Sequence, residues 1–304
     1  MDFTIPLDTP FSLDYTLGSG QLFRWDRRGE RWYGVVSGTV LKAKQEGDVL
    51  RCSSGSDLVD SSYVTRYFRL DEDLDHVLGN FARDDPTSRA VQRFYGLRLV
   101  RQDPWECLAS FVLATNANIP RIKGMVSAIC ARYGGTFQVE GESFSAFPSP
   151  KVLAGAETAD LRDCGLGYRA PFLRRVAIAV AEGRVDFDAF HTLGYEESRK
   201  LLTAELFGEK VLLGVGPKVA DCVLLYSLGK DEAFPIDVWI LRVLMNSYPR
   251  LLGPALTRRL KGTKRAKLSV GDYENASRRA RSYFGKYAGY AQLYLYAAAR
   301  EEAV

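Results

Sequence analysis

The chain has 304 residues, 46% hydrophobic and 26% charged, which suits two or three compact globular units and excludes a disordered or fibrous protein. Its net charge of +4 is mildly basic and by itself singles out no partner. No apolar run is long enough to span a bilayer, and five scattered cysteines (Cys52, Cys107, Cys130, Cys164, Cys222) with only two histidines make a disulfide scaffold or a metal centre unexpected.

The opening segment Met1–Pro6 lacks the basic and then apolar regions of a signal peptide, and unpaired thiols suit a reducing, intracellular compartment. The next seventy or so residues read as strands and turns. Runs such as Gln21–Trp25, Arg31–Val36 and Val40–Lys44 mix β-branched or aromatic residues with charges, separated by glycines, which predicts a meandering antiparallel sheet with one wet face. Around Tyr63 the texture changes. Leu74, Val77, Leu78 and Phe81 recur at helical spacing, and helical pattern then dominates to the end, with breaks at Gly134-Gly135, Pro148–Pro150 and Gly214–Gly216. Pro104–Leu113 is a well-marked helix with proline at its first position. Tyr195–Phe207 reads as another. The basic stretch Pro254–Lys267, with Arg258, Arg259, Lys261, Lys264, Arg265 and Lys267, reads as a solvated loop or linker, a phosphate-contacting arm being the weaker alternative. The expected architecture is α+β: a β-rich unit over 1–95 and a helical region over 96–304.

The informative segment is Leu212–Leu228, continuing to Phe234-Pro-Ile-Asp237. Gly214, Val215 and Gly216 form a tight turn, and Pro217 opens a helix. Helix, glycine hairpin and helix present backbone N–H groups at a helix start, a site for a phosphate that needs no sequence reading. Lys218 falls in the first turn, where the macrodipole disfavours an ammonium ion by ~0.3–1 kcal/mol and so favours the neutral amine of a nucleophile. A lysine swung into water is the plainer reading. Asp237 lies nineteen residues on, before the apolar run Val238–Leu244. It reads as an N-cap, and a carboxylate so pinned and kept ionised also suits an electron-poor sugar.

These residues resemble the helix-hairpin-helix, Gly/Pro-Asp superfamily of DNA glycosylases, and within it the 8-oxoguanine DNA glycosylase/AP lyases. Ser19–Trp25, Asn116–Arg121, Gly165–Ala170 and Tyr287–Gln292 are similar to that family's other blocks, in the same order. The resemblance implies an N-terminal antiparallel sheet domain of the TBP-like kind before an all-helical body whose last helix packs back toward it. It implies excision of 8-oxoguanine opposite cytosine from double-stranded DNA, by a monomer without metal or cofactor, in the cytoplasm or nucleoid of a prokaryote or the nucleus of a eukaryote.

In that family the lysine matching Lys218 attacks C1′ and forms a Schiff base before strand nicking, and the aspartate matching Asp237 stabilises the sugar's positive charge. The Gly20 carbonyl would accept from the N7–H that marks the lesion, Gln292 would bond the base edge, and Tyr296 and Cys222 would sandwich the ring. Lys218 and Cys222, and likewise Gln292 and Tyr296, are four apart and so share a helix face. Asn116, Arg121 and Arg169 match residues that bond the orphaned cytosine, and Tyr168 one that fills the gap in the stack. Gly214, Val215, Gly216 and Trp239 would meet the DNA phosphates. Plainer readings make Tyr296 core, Asn116 a helix C-cap and Arg169 a surface charge. Leu213 stands where the family hairpin has proline, Ala117 where asparagine is usual, Trp239 where eukaryotic members often have histidine, and Leu22 where a small polar residue is common. The alternatives are a monofunctional glycosylase for alkylated bases, which usually lacks the lysine, and a non-catalytic helix-hairpin-helix module, which would leave Asp237 unexplained.

Overall fold

The computed structural model describes residues 1–206, 209–261 and 267–302. Strand β1 (Asp2–Pro6) and helix α1 (Leu13–Gly18) precede a meander of β2 (Trp25–Arg28), β3 (Arg31–Val36), β4 (Thr39–Glu46) and β5 (Val49–Ser54). The five strands make one antiparallel sheet in the order β1-β5-β4-β3-β2, β1 returning to pair with β5 so that Ile5 faces Leu50. Helix α2 (Ser61–Tyr67) completes this unit's core, in which Ile5, Trp25, Leu41, Leu50, Val64 and Phe68 pack together. Gly34 opposite Trp25 makes room for the indole, which a Cβ there would strike at 2.3 Å.

The helical body begins with α3 (Leu74–Phe81), α4 (Asp85–Arg93), α5 (Pro104–Leu113) and α6 (Ile119–Tyr133). A hairpin of β6 (Thr136–Val139) and β7 (Glu142–Ser145) follows, then α7 (Pro150–Gly155), α8 (Thr158–Leu161), α9 (Ala170–Ala181) and α10 (Tyr195–Leu202). A second hairpin, β8 (Glu205–Leu206) with β9 (Glu209–Lys210), leads to α11 (Pro217–Tyr226), α12 (Val238–Asn246), α13 (Pro249–Leu252), α14 (Pro254–Lys261), α15 (Val270–Phe284) and α16 (Ala288–Glu301). Most helix starts are set locally: Asp73, Asp84, Asp103, Asn118, Ser149 and Ser269 each accept a first-turn N–H. One continuous apolar cluster runs from α3 to α16.

Four expectations change. The region expected to be all-helical holds two short hairpins. The helix expected over Tyr195–Phe207 ends at Leu202, and Phe207 lies outside the described residues. The sheet's outer face is only partly wet: Lys42 is buried because the β6–β7 hairpin folds over it and pairs Glu140 with its ammonium. The basic stretch is helical over Pro254–Lys261, since Leu256 and Leu260 pack on the core while Arg258, Arg259 and Lys261 stay exposed; Lys264 and Arg265 lie outside the described residues.

Helix α16 closes the chain back onto its beginning. Tyr294 donates to the Leu97 carbonyl at 2.8 Å, Arg93 pairs with Glu301, and Arg300 donates to the Ser19 carbonyl at 2.8 Å. The buried Gln21 bridges the same region, donating to Arg98 O and accepting from Val100 N, both at 2.9 Å. The loop at Ser19–Gln21 is thereby held against the helical body. Among the described residues no helix is long and apolar enough to cross a membrane.

Candidate active site

The turn before α11 is built by its apolar residues. Leu212 and Val215 are buried, and the Val215 amide donates to the Leu212 carbonyl at 3.1 Å. Gly214 has φ +88°, a conformation side-chain-bearing residues rarely adopt, with Phe172 close beside it. The backbone amide of Val215 is therefore used inside the turn, contrary to its expected role toward phosphate. The open donors lie one residue further on: Gly216 is the N-cap of α11 with no side chain to close it, so the first-turn amides face outward. Leu213, in the place of the family's proline, precedes this turn without breaking it.

Lys218 occupies the second position of α11, with its ammonium 5.1 Å from the centre of the Phe111 ring on α5. One turn on, Cys222 is buried; burial pushes its thiol up to about 11, against the opposing pull of the Lys218 charge. Asp237 caps α12, its Oδ1 accepting from Trp239 N at 3.0 Å and Ile240 N at 2.8 Å. Burial raises its carboxyl above the ordinary aspartate range, while the Ile240 amide, Lys218 and the Trp239 amide hold it down. Burial thus works against the ionised form, and the capping amides and the charge of Lys218 work for it. Two helix starts thus bring an amine and a carboxyl within each other's field.

The third wall is α16. Gln292 is buried and its Oε1 accepts from the Tyr226 hydroxyl at 3.3 Å, Tyr226 itself stacking on Phe111 with ring centres 5.5 Å apart. Tyr296 is half-buried; burial pushes its hydroxyl up to about 12, with Asp237 adding the next largest push. Gly20 sits at φ +90° beside Arg300, which also lies over the Tyr296 ring at 5.5 Å. Lys218, Cys222, Asp237, Gln292, Tyr296 and Gly20 therefore converge. Trp239 is half-buried on the exposed side of α12, under the Arg242 guanidinium at 4.9 Å.

Sequence reasoning missed the residues that hold this convergence. Asp221, fully buried on α11, accepts from Tyr195 OH at 2.7 Å, Arg199 Nε at 2.9 Å and Tyr273 OH at 2.7 Å. Tyr273 in turn accepts from the Ile236 amide at 3.2 Å, one residue before Asp237. A single α15 hydroxyl thus links the Lys218 helix to the Asp237 cap. Phe111, Tyr226 and Arg300 were likewise overlooked; only Arg300 left a local signal, falling eight residues after Gln292 on the same face.

A second cluster lies on the loop between α5 and α6. Asn116 has φ +51° and donates to the Tyr168 hydroxyl at 3.2 Å, which itself donates to the Thr115 carbonyl at 3.1 Å. It lies beyond the end of α5, whose C-cap is Ala114, so Asn116 is not that helix's cap. Arg169 is no surface charge: it is buried, donates from Nε to Thr115 O at 2.9 Å and from one terminal nitrogen to Asn116 O at 3.1 Å, and stacks on Tyr168 at 4.4 Å. Its other terminal nitrogen is buried without a hydrogen-bond partner. Tyr168 is half exposed. Arg121 is exposed in the first turn of α6, and among the described residues no hydrogen bond joins its side chain to Asn116, Tyr168 or Arg169.

Comparison with known proteins gives these sites a context. Residues 4–108 match the family model "8-oxoguanine DNA glycosylase, N-terminal domain", and residues 109–249 match "HhH-GPD superfamily base excision DNA repair protein". A probable N-glycosylase/DNA lyase of Methanothermobacter thermautotrophicus is 31% identical, over 95% of this chain and 94% of that one. The chain belongs to the N-glycosylase/DNA lyase family. Solved structures agree with the assignment. MBOgg1, in complex with a low-affinity DNA ligand, superposes with TM-score 0.86 at 28% identity over 100% of this chain and 96% of that one. The Clostridium acetobutylicum 8-oxoguanine glycosylase/lyase, in complex with duplex DNA containing cytosine opposite 8-oxoguanine, superposes with TM-score 0.84 at 26% identity over 99% of both chains. Lys218 and Asp237 fall within the stretch matched by the second family model, and Gly20 within the first.

Proposed function

We propose that this N-glycosylase/DNA lyase excises 8-oxoguanine paired with cytosine from duplex DNA, acting as an intracellular monomer. One observation carries the reading: Lys218 and Asp237 stand at two helix starts within each other's field, bordered by Cys222, Gln292, Tyr296 and Gly20. The neutral Lys218 amine attacks C1′ as the glycosidic bond breaks, and the base leaves with the bonding electrons and takes up a proton. The nitrogen lone pair then opens the C1′–O4′ bond, O4′ takes up a proton to become a hydroxyl, and a protonated Schiff base results. Loss of a C2′ proton then expels the 3′ phosphate and nicks the strand. The Asp237 carboxylate faces the positive charge that develops on the sugar.

The flipped base enters between Cys222 and Tyr296, with Gln292 turning from Tyr226 to its edge. A carbonyl at Gly20 accepts from the N7–H of 8-oxoguanine and meets only a bare acceptor on guanine, which leaves both groups unpaired. Asn116, Arg121 and Arg169 donate to the orphaned cytosine and Tyr168 fills the stack, the unpartnered nitrogen of Arg169 being the available donor. The open amides at the start of α11, with Gly214, Gly216 and Trp239, grip phosphate.

The test is borohydride trapping on a labelled duplex carrying one 8-oxoguanine opposite cytosine. A covalent adduct formed with the lesion and absent in Lys218→Gln is expected. Base release without an adduct would instead assign a monofunctional enzyme, and binding without release a DNA-gripping module.

A further inference from the structure

The loop carrying Gly20 is held from the far end of the chain. Gln292, Tyr296 and Arg300 follow one another at four-residue spacing along one face of α16. The Arg300 guanidinium donates to the Ser19 carbonyl at 2.8 Å and lies 5.5 Å from the centre of the Tyr296 ring. A Cβ on Gly20 would meet that guanidinium at 2.6 Å and the Ile119 Cδ1 at 2.7 Å, so arginine and glycine are in direct contact.

The Ser19 carbonyl and the Gly20 amide belong to one rigid peptide plane, so a bond to the first fixes the second. The plane that leaves Gly20 is anchored by Gln21, whose side chain donates to Thr16 O at 3.3 Å and Arg98 O at 2.9 Å and accepts from Val100 N at 2.9 Å. Glycine is the residue freest to rotate between such planes. Here both neighbours are tied, and the direction of the Gly20 carbonyl follows.

We propose that Arg300 is a positioning residue for lesion specificity, orienting the Gly20 carbonyl and the Tyr296 ring toward the base pocket. This rests on the reading in which that carbonyl accepts from N7–H. A fixed acceptor penalises the bare N7 of guanine; one free to rotate turns away and loses the distinction. The arginine acts at two points of the pocket at once, through a hydrogen bond to the loop and through its place over Tyr296. Substitution by methionine keeps an apolar stem over the ring and removes the donor and the charge.

Three readouts separate this role from general support. Affinity is measured in a Lys218→Gln background, which prevents turnover, for duplexes carrying 8-oxoguanine or its 7-deaza analogue, in which carbon replaces the N7–H donor. Strand nicking at a preformed abasic site, where no base is read, is measured with Lys218 intact, as is single-turnover base release. In Arg300→Met the preference for 8-oxoguanine over the analogue should fall about tenfold, as loss of one charge-assisted bond predicts. Base release should fall with it, abasic nicking should stay within about twofold, and Arg300→Lys should recover part of the preference.

An undiminished preference in Arg300→Met, beside a clear preference with Arg300 present, would overturn the inference and leave the reading of Gly20 standing. Equal losses in base release and abasic nicking would also overturn it, reducing Arg300 to a structural contact. No preference even with Arg300 present would remove the Gly20 reading and the inference together.

Discussion

Tyr273→Phe tests whether the two functional helix starts are held as one unit. The Tyr273 hydroxyl is buried between them, donating to Asp221 Oδ2 at 2.7 Å and accepting from the Ile236 amide at 3.2 Å. Phenylalanine keeps the ring packing and removes both bonds. Each buried group left without a partner costs ~1–3 kcal/mol. Asp221 retains Tyr195 and Arg199, with Ser277 3.5 Å away, so its loss falls at the low end of that range, whereas the amide of Ile236 loses its hydroxyl partner outright. The expected total is about 3 kcal/mol, read as a lower urea midpoint at unchanged slope. The loop before Asp237 also loses its tether, and since a misplacement of about 1 Å can cost ~10²-fold in rate, single-turnover base release should fall between roughly tenfold and a hundredfold. Tyr195→Phe is the control, because it removes one bond to Asp221 from the α10 side and none near Asp237; it should cost ~1 kcal/mol with a much smaller change in rate. A Tyr273→Phe protein within ~0.5 kcal/mol of the parent, releasing base within about twofold of its rate, would refute the linkage.

Other perturbations follow from the same geometry. Burial raises the Asp237 carboxyl, so the acid limb of base release should lie above the ordinary aspartate range, the rate falling as the carboxylate is protonated; a limb at the ordinary value would contradict the burial argument. A raised folded-state value contributes stability that is full below the unfolded value and lost as pH rises through the folded one. Asp237→Asn still caps α12 and avoids this loss, so thermal melts at neutral pH should find it no less stable while base release is abolished; destabilisation beyond ~1 kcal/mol would count against it. Gly20→Ala places a side chain at φ +90° against Arg300 and Ile119; it should cost ~1–3 kcal/mol and impair release of 8-oxoguanine more than nicking of abasic DNA. Tyr168 is half exposed, so Tyr168→Ala should change stability by no more than ~1 kcal/mol while slowing base release from duplex DNA several-fold; an unchanged rate would remove the wedge role.

The large divisions of the fold were legible because they rest on local rules. The meander announced itself through β-branched runs between glycines, and the helices through apolar spacing and caps. Expectations failed where a distant segment decides what a residue meets. Lys42 looks like a solvent-facing strand residue until Glu140 of the β6–β7 hairpin covers it. That hairpin has only four residues per strand, too few for period-two alternation to stand out from the helical pattern around it. Pro254–Lys261 shows the reverse: its charges suggested a loop, but the spacing of Leu256 and Leu260 fixes a helix whose basic residues merely coat the outside.

The candidate site divides along the same line. Lys218 and Asp237 could be read from sequence because the feature that makes each chemically useful, a helix start, is also a local structural rule. Asp237 is at once the cap of α12 and the buried carboxyl facing Lys218, so the pattern that predicts the helix also marks the site. Asp221 carries no such mark, although it lies only three residues from Lys218. Its partners come from α10 and α15, as far away as Tyr273, and a lone aspartate in an apolar helix discloses none of them. The burial of Arg169 was not legible because the carbonyls it holds belong to Thr115 and Asn116, more than fifty residues earlier. Lys218 and Asp237 follow local backbone geometry, whereas Asp221, Tyr273 and Arg169 are placed by packing between distant elements. A mutational search confined to the recognisable motif would therefore reach Lys218 and Asp237 and miss Tyr273 and Arg300, whose hydrogen bonds tie the Asp237 cap and the Gly20 loop to distant helices.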